Sequence, residues 1–168
     1  YYGMDFGRSV DLTAIVPGAV GGDLIRRVPF LIELRNVPFR QQEQILMAMI
    51  DRLPRFMKGA HDARGNGQQL AETMQQKYGS TRIEAVMLSE EWYRTHMPPL
   101  QAAFQDGALW IPKDADVRED LRALRLIRGV ARIPENYKGR GSDGKPRHAD
   151  TAIGLALAHY ATRTPLEL

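Results

Sequence analysis

Cysteine is missing from all 168 residues, which excludes a disulfide framework and any thiolate metal site. Long apolar runs are missing too. None approaches the roughly 18–20 residues that a membrane span requires, and the N-terminus carries no charged-then-apolar signal pattern. An intracellular protein that does not enter a membrane is the default expectation. Charge of one sign is scarce: 23 Lys and Arg stand against 20 Asp and Glu, a formal net charge of +3. That excess is compatible with a polyanionic partner but does not identify one. The residues that are present, 43% apolar and 26% charged, suit one compact domain with a sizeable core. The chain starts at Tyr1 without a Met and enters a strand-like run at once. The expectation is therefore a single domain, 1–168, cut from a longer protein with a further domain ahead of it.

Periodicity divides the chain. Tyr2–Gly7 reads as a short strand and Leu12–Val20 as a second. Gly21-Gly22 supplies a hairpin turn, and Asp23–Arg35 continues as a long third strand. Pro29 removes a ladder donor, which places that strand at a sheet edge or a bulge. Ile45, Leu46, Met49, Ile50 and Leu53 then share one helical face, stopped by Pro54. Phe56–His61 is a fourth strand ending at Asp62, Asn66–Tyr78 a helix closed by Gly79, and Ile83–Leu88 a fifth strand. Pro98-Pro99 should split the helical stretch Glu90–Gln105. Ala108–Ile111 is strand-like, Asp114 caps a helix Val117–Ile127, and Glu135–His148 is a flexible basic loop before a last helix from about Ala149 to Ala161. The fold class is α/β: a mixed five-stranded sheet, an antiparallel meander of strands 1–3 followed by parallel strands 4 and 5, flanked by helices. The right-handed crossover rule lets the fourth strand lie parallel beside the first.

Three acids stand out against this frame. Asp5 sits in a strand expected to be central, where a carboxylate is costly unless paired or metal-bound. Asp62 ends an apolar strand, the place where α/β sheets bind ligands. Asp150 opens an otherwise apolar helix. Taken singly, Asp62 also reads as turn chemistry and Asp150 as a helix cap. The inferred topology brings all three together, and hard oxygen ligands from separate elements are what Mg²⁺ or Mn²⁺ takes. A pair of such ions can activate water and steady a leaving oxygen. Asp11 is a fourth candidate, with an exposed turn aspartate as the competing reading. His61 and His148 flank the acids, as proton relays or as packed or solvated side chains.

Gly139-Arg140-Gly141-Ser142-Asp143-Gly144-Lys145 matches the start of a phosphate-binding P-loop. Pro146 stands where Ser or Thr should hold Mg²⁺, and no strand–loop–helix surrounds it, so the match is rejected. Lys138, Arg140, Lys145, Arg147 and His148 precede Asp150 and can clamp DNA phosphates, with a solvated loop as the alternative. Arg118, Arg122 and Arg125 read as the solvent face of a helix.

Gly3-Met4-Asp5-Phe6-Gly7-Arg8-Ser9-Val10-Asp11, then Asp62-Ala63-Arg64-Gly65-Asn66-Gly67, then Arg147-His148-Ala149-Asp150-Thr151-Ala152 resemble, in that order, the large terminase subunit of Mu-like phages and prophages. The resemblance runs from Gly3 to about Ala161 and corresponds to that subunit's C-terminal nuclease domain. It implies a ribonuclease H-like fold, a two-metal Mg²⁺ or Mn²⁺ site on Asp5, Asp62 and Asp150, and endonucleolytic cutting of double-stranded phage DNA in the bacterial cytoplasm. It also implies partners in the full-length protein: an ATPase domain, which this chain lacks, a small terminase subunit and a portal. Many members carry Glu at the middle position, where this chain has the shorter Asp62. Other functions compatible with the same residues are a resolvase- or transposase-like nuclease, an actin-like ATP-binding unit suggested by Asp5-Phe6-Gly7, and a non-catalytic DNA-binding module.

Overall fold

The structure, a computed structural model, describes residues 1–7 and 12–163. The strands are β1 (Tyr2–Asp5), β2 (Leu12–Pro17), β3 (Ala19–Val20), β4 (Arg26–Arg27), β5 (Ile32–Arg35), β6 (Gly59–Asp62), β7 (Ile83–Val86), β8 (Leu109–Trp110), β9 (Arg125–Ile127), β10 (Val130–Arg132), β11 (Gly139–Arg140) and β12 (Pro146–Arg147). The helices are α1 (Phe39–Ile50), α2 (Gly67–Tyr78), α3 (Glu90–Gln105), α4 (Ala115–Arg122) and α5 (Asp150–Arg163).

β5, β2, β1, β6 and β7 lie side by side in that order. β1 runs antiparallel to β2, and β2 to β5, while β6 is parallel to β1 and β7 to β6. This is the mixed sheet expected from the sequence, in the ribonuclease H-like arrangement, with the fourth long strand beside the first. Among the described residues no helix is long and apolar enough to cross a membrane.

Strand alternation sends successive side chains to opposite faces, and the two faces are packed differently. Tyr2, Met4 and Ile15 point to one face and meet Leu46, Met49 and Ile50 of α1 and Leu70 and Met74 of α2. Val16 and Ala60 point to the other, against α5 and α3. There Gly3 comes so close to α5 that a Cβ would overlap the Ala158 amide nitrogen and the Gly154 carbonyl oxygen. Only glycine permits that approach. α5 is buried nearly all round, as befits a helix apolar on every side.

Four expectations change. The long second and third strands are both broken: β3, after Gly18, and β4 leave the main sheet and join β8, and β5 resumes at the sheet edge after Pro29. The missing N–H of Pro29 falls in the break, as its inability to donate requires. α3 is not split, although Pro98 and Pro99 lie inside it. The carbonyls they leave without an amide partner belong to Arg94 and Thr95, both exposed, where water can serve them. The helix capped by Asp114, whose carboxylate accepts from the Asp116 and Val117 amides at 2.8 and 3.0 Å, ends at Arg122 instead of Ile127. Arg128 and Gly129 take φ of 50° and 76° and turn β9 back onto β10. Two consecutive left-handed residues make the hairpin turn that matches strand twist, so Arg125 is a strand residue.

The basic loop is the fourth change. It contains the hairpin β11–β12, and the Ser142 amide and hydroxyl donate to Asp116 of α4 at 2.8 and 2.9 Å. A segment expected to be flexible is tied down at its tip. It forms no strand–loop–helix, in keeping with rejection of the P-loop match.

Candidate metal and nucleic-acid site

Asp5 ends β1 and Asp62 ends β6. The parallel register pairs Gly3 with Ala60 and Met4 with His61, so one step further along both strands the two aspartates are neighbours. Gly3 and Ala60 face α5; by alternation Asp5 and Asp62 do too. Asp150 is the first residue of α5. All three line one open pocket of about 480 Å³, together with Phe6, Gly7, Arg64, Tyr93, Glu135, Tyr137 and His148.

The chain places these acids with care. Gly67, first residue of α2, packs on the Asp62 carbonyl so tightly that a Cβ would overlap it. Asp150 follows Ala149, a buried residue held at φ 64°. Left-handed backbone in a non-glycine residue is strained and persists only where its surroundings enforce it. The tether is Arg147. Its guanidinium bonds Asp120 at 3.1 and 2.7 Å and Glu33 at 3.0 and 2.6 Å, while Asp120 also accepts from the Thr151 amide and hydroxyl. β5, α4 and the start of α5 are thereby locked together around Asp150.

The electrostatics differ between the acids. Asp150 is only 6% exposed, and burial pushes its carboxyl above the usual range, opposed by the His148 amide, which donates at 3.1 Å, and aided by the nearby Asp120 charge. Asp62, equally buried, is paired. Its Oδ1 accepts from the Arg64 backbone amide and Nε, both at 3.0 Å, and its Oδ2 from Nε at 3.0 Å and Nη2 at 2.7 Å. Asp62, first, and Asp5 raise the affinity of the Arg64 guanidinium for its proton. Burial, assisted by the Asp5 and Asp62 charges, pushes the Tyr93 phenol up to about 12, so it is a neutral O–H at any physiological pH.

Asp5, Asp62 and Asp150 are therefore brought to one pocket, yet among the described residues no three His, Asp or Glu side chains already form a metal-holding group. The Asp62 oxygens are turned to Arg64 instead. Asp11 lies outside the described residues. His61 belongs to the opposite face: its Nε2 meets the Tyr2 hydroxyl at 2.6 Å, and full burial lowers its pKa to about 3. It is a packed, neutral histidine, whereas His148 is exposed and lines the pocket.

Of the five residues expected to hold phosphate, Lys138, Arg140, Lys145 and His148 are exposed. Arg140 donates to the Gly144 carbonyl at 2.9 Å, and Lys145 stands 4.0 Å from Asp143. Arg147 corrects the expectation. It is 4% exposed and committed to Glu33 and Asp120, so its positive charge holds the fold rather than DNA. Arg64 and Tyr93 were not singled out from the sequence. Arg64 had a signal, an arginine two residues after a candidate acid, but Tyr93 reaches the pocket from the first turn of α3, a helix that carries no motif.

No protein-family model matches the chain. It is 40% identical over 161 residues to the Mu-like prophage FluMu protein gp28 of Haemophilus influenzae, covering 96% of this chain and 31% of that protein. It is also 40% identical over 161 residues to a probable terminase large subunit, gp28, of Escherichia phage Mu, covering 95% of this chain and 29% of that one. The chain thus spans about a third of the length of these relatives. Its fold matches the large terminase nuclease of thermophilic phage G20c with bound cobalt, at a TM-score of 0.69 and 19% identity over 95% of this chain and 79% of that one. It also matches the large terminase nuclease domain of bacteriophage SPP1 with bound manganese, at 0.59 and 12% over 95% and 84%.

Proposed function

This chain belongs with the large terminase subunits of Mu-like phages, of which it is homologous to one segment, and on that premise we propose that it is a metal-dependent endonuclease that hydrolyses phosphodiester bonds of double-stranded phage DNA. One observation carries the reading: Asp5, Asp62 and Asp150, from three separate elements, line a single open pocket at the C-terminal ends of two adjacent parallel strands.

The donor set fits a divalent cation. Three carboxylates with no sulfur and no buried imidazole among them are hard oxygen ligands, suited to Mg²⁺ or Mn²⁺. Asp5, Asp62 and Asp150 would hold the ions, with Asp11 a further candidate ligand. Bound there, a pair of ions supplies an activated water and stabilises the leaving oxygen. The chain's own residues do the rest. Burial raises the proton affinity of Asp150, which a bound cation would offset. Tyr93 keeps its proton and can donate to a phosphate oxygen. Lys138, Arg140 and Lys145 offset the negative pocket toward the DNA backbone without reading bases, and His148 at the pocket offers a ring N–H to phosphate. In the full-length protein the partners would be an ATPase domain, a small terminase subunit and a portal, working in the host cytoplasm.

Nicking of supercoiled plasmid in Mn²⁺ tests the reading. Asp5→Asn removes a charge and little volume, so cleavage should fall by more than about 100-fold, beyond the usual loss on removing a group that merely supports a metal ligand. The melting temperature in the absence of metal should change little. Full activity in Asp5→Asn would sink the assignment.

A further inference from the structure

Arg64 lines the pocket among the three acids. Its position is unusual. It follows Asp62 by two residues, so a tight turn folds its side chain back over the carboxylate it has just left, and both Asp62 oxygens receive it. A carboxylate has about four lone-pair directions, and the Arg64 amide and guanidinium between them use four contacts. A divalent cation needs at least one of the same oxygens. The guanidinium and a metal ion contest the same atoms.

The burial of the two partners shows which of them gives way. The Asp62 side chain is 8% exposed and that of Arg64 51%. A buried carboxylate stripped of every cation is strongly destabilised. A half-exposed guanidinium returns to water readily, because a pair with so much exposure is worth only about 0–1 kcal/mol. The carboxylate therefore always keeps a counter-cation, and the one it has here is removable without unpacking the core. Once released, the guanidinium stays at the mouth of the pocket beside Asp5, with a planar fork that matches a phosphate.

We propose that Arg64 is an exchangeable counter-cation: it holds Asp62 while the site lacks metal, yields the carboxylate to a divalent ion, and moves to a phosphate of the bound DNA backbone. The exchange rests on the nuclease reading and deepens it, since it makes metal loading and DNA engagement cooperative at one side chain.

Calorimetric titration of the metal-free protein with Mn²⁺ tests the first half, and fluorescence anisotropy of a labelled duplex in Ca²⁺ the second. Arg64→Gln should bind Mn²⁺ about fivefold more tightly than wild type, the effect of removing a competitor worth roughly 1 kcal/mol. Arg64→Lys keeps the charge but loses the two-point grip, so it should fall between them. A lysine variant identical to wild type would mean that the field alone matters, which overturns the exchange. The glutamine variant should bind the duplex more weakly, with a salt slope shallower by about one unit. Unchanged DNA affinity and slope would overturn the phosphate half. If wild type binds Mn²⁺ in an Asp62-dependent way and Arg64→Gln binds it no more tightly, the exchange alone falls. If neither binds Mn²⁺ at all, the nuclease reading falls and the exchange with it. Cooperative thermal unfolding of all three metal-free proteins, with the glutamine variant melting lowest because Asp62 has lost its cation, establishes that each is folded.

Discussion

The two faces of the central sheet are closed by opposite means. Against α1 and α2 the sheet presents Tyr2, Met4 and Ile15, large side chains that meet large side chains. Against α5 it presents Gly3, Ala14 and Ala60, and α5 answers with Gly154 and Ala158, so that backbone nearly touches backbone. The first face is an ordinary core, with stability spread over many dispersion contacts. The second gives up bulk for proximity. That is the face carrying Asp5, Asp62 and Asp150, and the close approach is what lets a carboxylate at the start of α5 share a pocket with carboxylates at the strand ends. Positioning a site and filling a core are thus divided between the two sides of one sheet.

The two faces differ most at Gly3. Gly3→Ala forces a methyl into the α5 backbone, which cannot give way as a side-chain tip can. The cost should exceed the usual ~1–3 kcal/mol of an overpacked core, and Mn²⁺-dependent cleavage should be lost even in whatever fraction folds. Leu70→Ala on the other face, where the side chain is fully buried, should cost about 2–5 kcal/mol while the folded fraction cleaves normally. Urea unfolding paired with activity per folded molecule separates the two. A Gly3→Ala protein with wild-type activity would show that the close packing does not position the acids.

Arg147 probes the polar tether of the α5 face. Arg147→Ala leaves Asp120, at 1% exposure, without its cation, and breaking a buried pair costs about 3–5 kcal/mol. Binding to DNA by the molecules that remain folded should be unchanged, because the side chain faces Glu33 and Asp120. A stable variant with weakened DNA binding would restore the phosphate-clamping role that its burial denies.

The smallest effect uses one histidine from each face. Burial lowers the pKa of His61 to about 3; for His159 burial, then the charges of Arg26 and Arg163, lower it to about 4. Both sit below the unfolded value near 6.5, so the folded protein binds fewer protons than the unfolded chain in that window. Their contribution is intact above about pH 6.5 and is lost as pH falls toward 4 for His159 and toward 3 for His61. The slope is at most about 1.4 kcal/mol per pH unit for each histidine. His159→Gln should flatten the fall in urea midpoint between pH 6.5 and 4. An unaltered slope would mean that His159 takes up its proton in the folded state.

Much of this molecule was legible before folding. Alternation in Tyr2–Asp5, the apolar approach to Asp62 and the apolar run after Asp150 sufficed to order the strands and to gather the acids, because period and crossover handedness are local rules that act through short segments. The breaks were less legible. Pro29 announced an edge but not that the strand would change sheets, which depends on β8 arriving from 83 residues away to pair with β4. Pro98-Pro99 was expected to split a helix and does not, because Arg94 and Thr95, whose carbonyls they leave without an amide partner, are exposed to water.

By itself the sequence determined the α/β order, the parallel neighbour of β1 and the identity of three acids on a common edge, since spacing along a strand or helix dictates which face a residue takes. Only the tertiary structure decided what each charged group meets there. Arg64 turns back onto Asp62, Arg147 is sealed between Glu33 and Asp120, and His61 pairs with Tyr2 on the far side. A cation read along the chain is only a charge. Whether it holds the fold, waits on a carboxylate or reaches for a phosphate depends on its burial and its partners, and those come from elements 27 to 114 residues apart for Arg147, distances over which no local pattern acts.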